Sequence, residues 1–457
     1  MALTNLSLLI PWALPVGALL AYLVLVRAEL LMLVLIAILP WQGALRYPTE
    51  NLTVAKLVGA LLLISVLSTT LIADRPLRFP PVLWAAAALC SAVTVSLCVN
   101  SPSTLSVTET LRYWTLTLFV FLIVQLIDSH AAFMRALRVL ALSAIVGAAW
   151  AATQFIGGSV PRASGPISDP NDFAYFLAAV LPLVAYLFMV ERQRRWLWGA
   201  GLLCLALGIL GASSRGAFVA LAVTAAWAVL ARRVAPIVVA GAVVSAALTA
   251  LLVLAISTAS TSQNLQVRQH SLSTSVEFRK SYWSAAERIA EDHPLFGAGP
   301  ASFQVIGPDY ARDAPGLESK LSVNNTYLTM LSENGALASA AFLAFLVTIW
   351  LQISPALTPA RAHSRGAQLP ARAHSRGAQL DRERDATAER AGALRLRTAL
   401  QAAFLIALVG GIFFSAQLST PFWLIAALAP SARLARQQPH RVQRLAERRA
   451  HSRPAHT

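Results

Sequence analysis

Apolar runs about as long as a bilayer is thick, cut apart by short polar connectors, constrain this chain more than any motif in it. The hydrocarbon core offers no water to a backbone N–H or C=O, so a spanning segment has to satisfy its own hydrogen bonds by coiling into a helix. Each such helix needs roughly 20 mostly apolar residues. Runs of this kind lie near 5–26, 29–45, 52–73, 81–99, 109–128, 132–156, 172–191, 196–211, 215–231, 234–256, 335–353, 398–416 and 419–432. Several are short, and Pro11, Pro15 and Pro182 interrupt others, so the expectation is about 12–13 spans. Only 13% of residues are charged and the mean hydropathy is +0.61, where a soluble domain carries about a quarter charged residues. The expected fold is an all-α polytopic membrane protein with one large helical loop. Met1 to Val26 has no basic leader and no clear cleavage site, and reads as a retained first span.

The net charge of +16 is concentrated. Residues 361–397 hold nine Arg against four acids, and 432–457 hold seven against one, so these two segments supply +11 of the excess. Basic clusters beside spans mark cytoplasmic loops, and this placement argues against a nucleic-acid partner. Alternating spans put Arg75 and Arg78, Arg192 to Arg195, Arg232 and Arg233, the 361–397 loop and the tail on one side, without a forced exception. The domains expected are a block of about ten spans over 1–256, a periplasmic loop over 257–334 and a span at 335–353. A basic cytoplasmic loop at 354–397, closing spans over 398–432 and a basic disordered tail at 433–457 follow.

The 354–397 loop carries an eleven-residue tandem repeat at 359–369 and 370–380, read as duplication in a linker. Its His363 and His374, and His451 in the tail, stand among arginines with no acid or Cys to complete a site, so no metal is expected. Cys90, Cys98 and Cys204 lie in apolar runs without disulfide or metal spacing.

The outward side collects the chemistry-bearing residues. Arg162 precedes the turn Gly165-Pro166 and the sequence Asp169-Pro-Asn-Asp172, where Asp169, Asn171 or Asp172 can cap the next helix. Ser213-Ser-Arg-Gly216 opens a span. Its Arg215 either snorkels toward water or joins the helix dipole in holding an anion. Phe278-Arg-Lys-Ser-Tyr-Trp283 begins an amphipathic helix, expected to lie against the outer membrane surface, with Arg279 either routine or turned inward toward Arg215. The loop 257–334 holds six basic against eight acidic residues, so any phosphate site there uses selected arginines. His293-Pro-Leu-Phe-Gly-Ala-Gly299 lacks the Lys and strand of a P-loop and reads as a tight turn under that helix. Asn324, Asn325 and Glu333, in Asn324-Asn-Thr-Tyr-Leu-Thr-Met-Leu-Ser-Glu-Asn-Gly335, either cap a helix or face substrate at the water–lipid boundary.

Pro-Asn before a span, Ser-Arg-Gly at a span's outer end, the Arg–aromatic helix, His-Pro-Leu-Phe-Gly-Ala-Gly and Asn-Thr-Tyr-Leu-x-x-x-x-Glu-x-Gly occur in that order. The series resembles the bacterial O-antigen ligase and polysaccharide polymerase family of inner-membrane glycosyltransferases, by motif over Arg162 to Gly335 and by hydropathy over the whole chain. The resemblance implies a donor glycan on undecaprenyl diphosphate, transfer at the periplasmic face, and no metal or cofactor. It implies an acceptor that is another glycan, for a polymerase, or a lipid A-core sugar, for a ligase.

By position, Arg215 and Arg279 match the two arginines that hold the diphosphate in that family, with Arg162 at the mouth of the same cavity. Ligases of the family usually carry His-Asn where this chain has Asn324-Asn325, which points toward a polymerase or a divergent member. An amide is no general base at neutral pH. His270, His293, Glu277 or Glu333 substitutes, or Asn324 only orients the acceptor. The alternatives are a transporter or flippase for the lipid-linked glycan, a protein O-oligosaccharyltransferase, and a non-enzymatic scaffold. A transporter predicts mid-membrane charges and repeated spans; neither is evident in spans 52–73, 172–191 and 234–256.

Overall fold

The computed structural model describes residues 27–41, 53–74, 76–156, 160, 162–167, 169–234, 278–311, 322–354, 376–415, 417 and 419–431. The expected spans at 5–26 and 234–256, the first copy of the repeat, the basic tail, His270 and Glu277 lie outside these residues. Among the described residues the fold is all-α, without a strand. The helices are α1 (Ala28–Ile38), α2 (Val54–Ala73), α3 (Pro81–Val99), α4 (Thr104–Leu126), α5 (His130–Ile156), α6 (Pro170–Val190), α7 (Arg195–Ala212) and α8 (Arg215–Leu230). They continue with α9 (278–292), α10 (Phe303–Tyr310), α11 (Thr326–Ile353), α12 (Arg376–Gly410) and α13 (Thr420–Leu428). Eight described helices are long and apolar enough to cross a membrane: α2 to α7, α11 and the 391–410 part of α12.

Caps and prolines set where the helices begin. Pro81 opens α3, Ser103 caps α4 by accepting the Ser106 N–H, and Asp169 caps α6 ahead of Pro170. α6 is the most enclosed of the candidate spans and packs against α7, α12 and α5. Small residues permit the close approach that helix association in lipid relies on. Gly208 of α7, for example, faces Ala148 of α5 and Leu177 of α6.

Two of the expected boundaries shift. α12 begins at Arg376, well before the span expected at 398, because 380–397 is rich in Ala, Arg, Leu and Glu and propagates the helix outward. α11 begins at Thr326 rather than 335, and its polar first turns are helical too. The expected boundary marks a break instead. Gly335 has φ 73° and ψ −176° in the middle of the helix.

That break holds the outer end together. A helix interrupted in this way loses backbone partners, and the turn 293–299 supplies them. Ala298 N–H donates to the Ser332 carbonyl at 3.0 Å and Gly299 N–H to the Glu333 carbonyl at 2.8 Å. In return, Ala336 N–H donates to the Pro294 carbonyl at 2.9 Å and Leu337 N–H to the Leu295 carbonyl at 3.3 Å. The two backbones approach so closely that a Cβ on Gly335 would overlap Gly297 and Leu295, and one on Gly297 would overlap Glu333 and Asn334. Both glycines have positive φ. The end of α3 joins them: Ser96 Oγ donates to the Phe296 carbonyl at 2.6 Å, and Asn100 Nδ2 to that of Gly297 at 3.1 Å. The Gly-Ala-Gly turn is thus tight, as expected, but it is seated in the α11 break rather than only beneath α9.

α9 is amphipathic, as its pattern predicts, but its apolar face turns toward protein instead of lipid. Ala285, Ala286 and Ile289 bury against Phe303, Ala311 and Val323 in a small core of their own. Trp283 Nε1 donates to the Val323 carbonyl at 3.0 Å, and Arg288 Nη1 to that of Tyr310 at 2.9 Å. Gly297→Ala and Gly335→Ala should each destabilise the protein by more than ~2 kcal/mol through strain and overlap. The check is the thermal midpoint in detergent. Gly59→Ala, where a Cβ meets nothing within 4 Å, should leave that midpoint unchanged.

Candidate functional site

Beside the α11 break lies a polar cavity of about 190 Å³. Glu109 and Arg112 of α4 line it, together with Asp172 of α6 and Thr329 and Glu333 of α11. Ala301 and Gln304 reach it from the turn and α10, and Ser322 and Val323 from the segment before α11. Phe414, Ser415, Gln417 and Ser419 complete it from the connection between α12 and α13.

Glu333 is the predicted site residue that faces this cavity. Its carboxylate is almost fully enclosed and accepts backbone N–H groups from Ala301 at 3.2 Å and Phe303 at 3.3 Å. These two amides are brought to it by the turn seated in the α11 break. Glu109 pairs with Arg112 at 3.0 Å, one turn along α4. Asp172 is exposed, and among the described residues its carboxylate has no hydrogen-bond partner, while Asp169 takes the capping role by accepting the Asn171 and Asp172 N–H groups. Gln417 is buried to 5% exposure, yet among the described residues its Oε1 has no hydrogen-bond partner, and neither has Ser419 Oγ.

The start of α11 is fastened to the end of α12. Thr326 N–H donates to the Gly411 carbonyl at 2.7 Å, Thr326 Oγ1 to that of Phe414 at 2.9 Å, and Ser415 Oγ lies 3.0 Å from Thr329 Oγ1. Asn325 is the N-cap. Its Oδ1 accepts from Tyr327 N–H at 3.0 Å and Leu328 N–H at 3.1 Å. Asn324 adopts φ 52°, and its Nδ2 donates to the Ser322 carbonyl at 2.9 Å. Neither asparagine lines the cavity, and neither does His293, which is exposed at the end of α9.

The three predicted arginines do not line this cavity. Arg162 is committed to the fold, donating from Nε to the Ala212 carbonyl at 3.0 Å and from Nη2 to Asn171 Oδ1 at 2.8 Å. Arg215 is the first residue of α8 and is exposed, and neither it nor Arg279 has a hydrogen bond or ion pair among the described residues. Ser214 makes no side-chain cap, so the first amides of α8 stay available. Tyr175 packs beside the start of α8. Its ring stacks on Phe414 with centroids 4.3 Å apart, and among the described residues its buried hydroxyl has no hydrogen-bond partner. That hydroxyl lies over Gly216, where any Cβ would overlap it, and within electrostatic reach of both Arg279 and Asp172. The glycine of Ser-Arg-Gly is therefore required by Tyr175.

Residues 200–343 match the family model described as O-antigen ligase. Across this segment the chain is similar to O-antigen ligases. Among curated proteins no match is found. The O-antigen ligase segment contains Arg215, Arg279, His293, Asn324, Asn325 and Glu333, and supports a ligase- or polymerase-type glycan transferase in a multi-pass membrane protein. Glu109, Asp172 and Gln417 lie outside the segment, and the motif reading did not select them as site residues. A carboxylate and an arginine inside an otherwise apolar α4 were the available signal. If Asn325 serves as a cap, Asn325→Ala should cost about 1 kcal/mol and Asn325→Asp much less. Thermal midpoints in detergent would test this, with product formation following stability rather than the presence of the amide.

Proposed function

We propose that this protein transfers a glycan from undecaprenyl diphosphate to an acceptor hydroxyl at the periplasmic face of the inner membrane, without a metal. The observation that carries the reading is the O-antigen ligase match across 200–343, which spans Arg215 and Arg279, neither of them hydrogen-bonded or ion-paired among the described residues.

Transfer from a diphosphate requires stabilisation of the charge that develops on the departing phosphate. Fixed cations and backbone amides at the edge of a low-dielectric region supply that stabilisation without reorganising. Arg215 combines both, since its guanidinium sits on a helix N-terminus whose amides are not capped by a side chain. Arg279 approaches from α9 and closes the anion from the other side. Arg162 is the post of this arrangement: bonded to Ala212 and Asn171, it holds the α7–α8 turn on which Arg215 stands. The polyprenyl tail runs into the bilayer between helices, and the acceptor is a glycan or a lipid A-core sugar.

Arg215→Ala and Arg279→Ala should each reduce polymerised or ligated glycan by ~100-fold or more at unchanged protein level, the scale seen when one charge-stabilising donor is lost. Gel analysis of glycan from cells expressing each variant reads this directly. Normal glycan length and attachment in both variants would sink the reading.

A further inference from the structure

The cavity beside Glu333 differs in kind from the arginine side. Its ionisable lining residues are Glu109, Asp172 and Glu333 against Arg112 alone, which is already paired with Glu109. A diphosphate brings only acceptor oxygens and negative charge, and such a lining repels it. The three carboxylates do not converge on a common ion either: among the described residues no group of three His, Cys, Asp or Glu could hold a metal.

The rest of the lining is polar and largely uncharged: Gln304, Ser322, Thr329, Ser415 and Ser419 bring an amide and hydroxyls. The hydroxyl groups of an uncharged sugar can both donate to and accept from such groups without adding charge. Among the described residues the Asp172 carboxylate has no hydrogen-bond partner. The carboxylates are distinguished by their commitments. Glu109 is held by Arg112, and Glu333 by two backbone amides. Asp172 remains, one helical turn before Tyr175, on the face of α6 that leads from the cavity toward Arg279.

We propose that this cavity is the acceptor subsite, that it takes the hydroxyl face of an uncharged sugar, and that Asp172 accepts the proton of the attacking hydroxyl. The inference rests on the donor reading given above and assigns the half of the reaction which that reading leaves open. The acceptor O–H bond breaks as its oxygen bonds to the anomeric carbon of the donor. The bond from that carbon to the diphosphate oxygen breaks, and its electron pair leaves with the diphosphate. The proton comes to rest on Asp172.

The test compares wild type, Asp172→Asn, Asp172→Glu and Arg215→Ala in cells that make the glycan. Two quantities are read: glycan product on gels, and undecaprenyl-diphosphate-linked glycan that co-purifies with the detergent-solubilised protein. Asp172→Asn should lower product by ~100-fold or more, the usual scale for a lost general base, while retaining the donor at the wild-type level. Asp172→Glu should restore part of the product, and Arg215→Ala should lose both product and bound donor. If Asp172→Asn makes undiminished product while Arg215→Ala does not, the acceptor assignment is wrong and the donor reading stands. If Arg215→Ala is also undiminished, the donor reading fails and takes this one with it. Loss of bound donor in Asp172→Asn would overturn the assignment too, because the residue would then act on the donor or on folding.

Discussion

The backbone pairing between the 293–299 turn and the broken middle of α11 is the constraint on which the outer end of this protein depends. A helix interrupted near a bilayer exposes amides and carbonyls that lipid cannot satisfy, and each one left unpaired costs more than an ordinary hydrogen bond contributes. Four reciprocal bonds from the turn close this deficit, at the requirement of glycine on both sides. The consequence extends past the pairing itself. The turn leads directly into Ala301 and Phe303, whose amides hold the Glu333 carboxylate, and Ser96 and Asn100 tie the same turn to the end of α3. Turn, helix break and carboxylate are one rigid unit.

Around this unit one aromatic pair links several elements. Phe414 lines the cavity and stacks on Tyr175, whose hydroxyl meets α8 at Gly216. That hydroxyl is within electrostatic reach of both Asp172 of the cavity and Arg279 of α9. Inside the cavity the cation is Arg112, and it is paired with Glu109.

Much of the helical frame was legible in the sequence because hydropathy and caps report it locally. Pro81–Val99 was read to the residue, and Pro170–Val190 within two residues at its start. The failures share a physical cause. The beginning of α11 was assigned to the loop because Asn325, Thr326, Ser332, Glu333 and Asn334 look solvent-facing. All five are buried, satisfied in good part by the turn, by α12 and by α11's own first amides. Local composition does not report partners thirty or ninety residues away. α9 was placed against lipid for the same reason: its apolar face is visible in sequence, but Val323 and Phe303, which cover it, are not. The arginines stand out in sequence because their motifs are contiguous, while the cavity does not because α4, α6 and the α12–α13 connection each contribute only one or a few residues to it.

The two asparagines at 324 and 325 show how motif and chemistry separate. Their sequence context invites a role at the acceptor, yet the geometry assigns each amide a backbone task. Asn324 stabilises a left-handed turn through Ser322, a conformation asparagine tolerates better than most residues, and Asn325 caps α11. Among the described residues, the cavity carboxylate without a hydrogen-bond partner belongs to α6. Because Asp169 takes over the capping of α6, Asp172 is released from the local role its position would otherwise assign it.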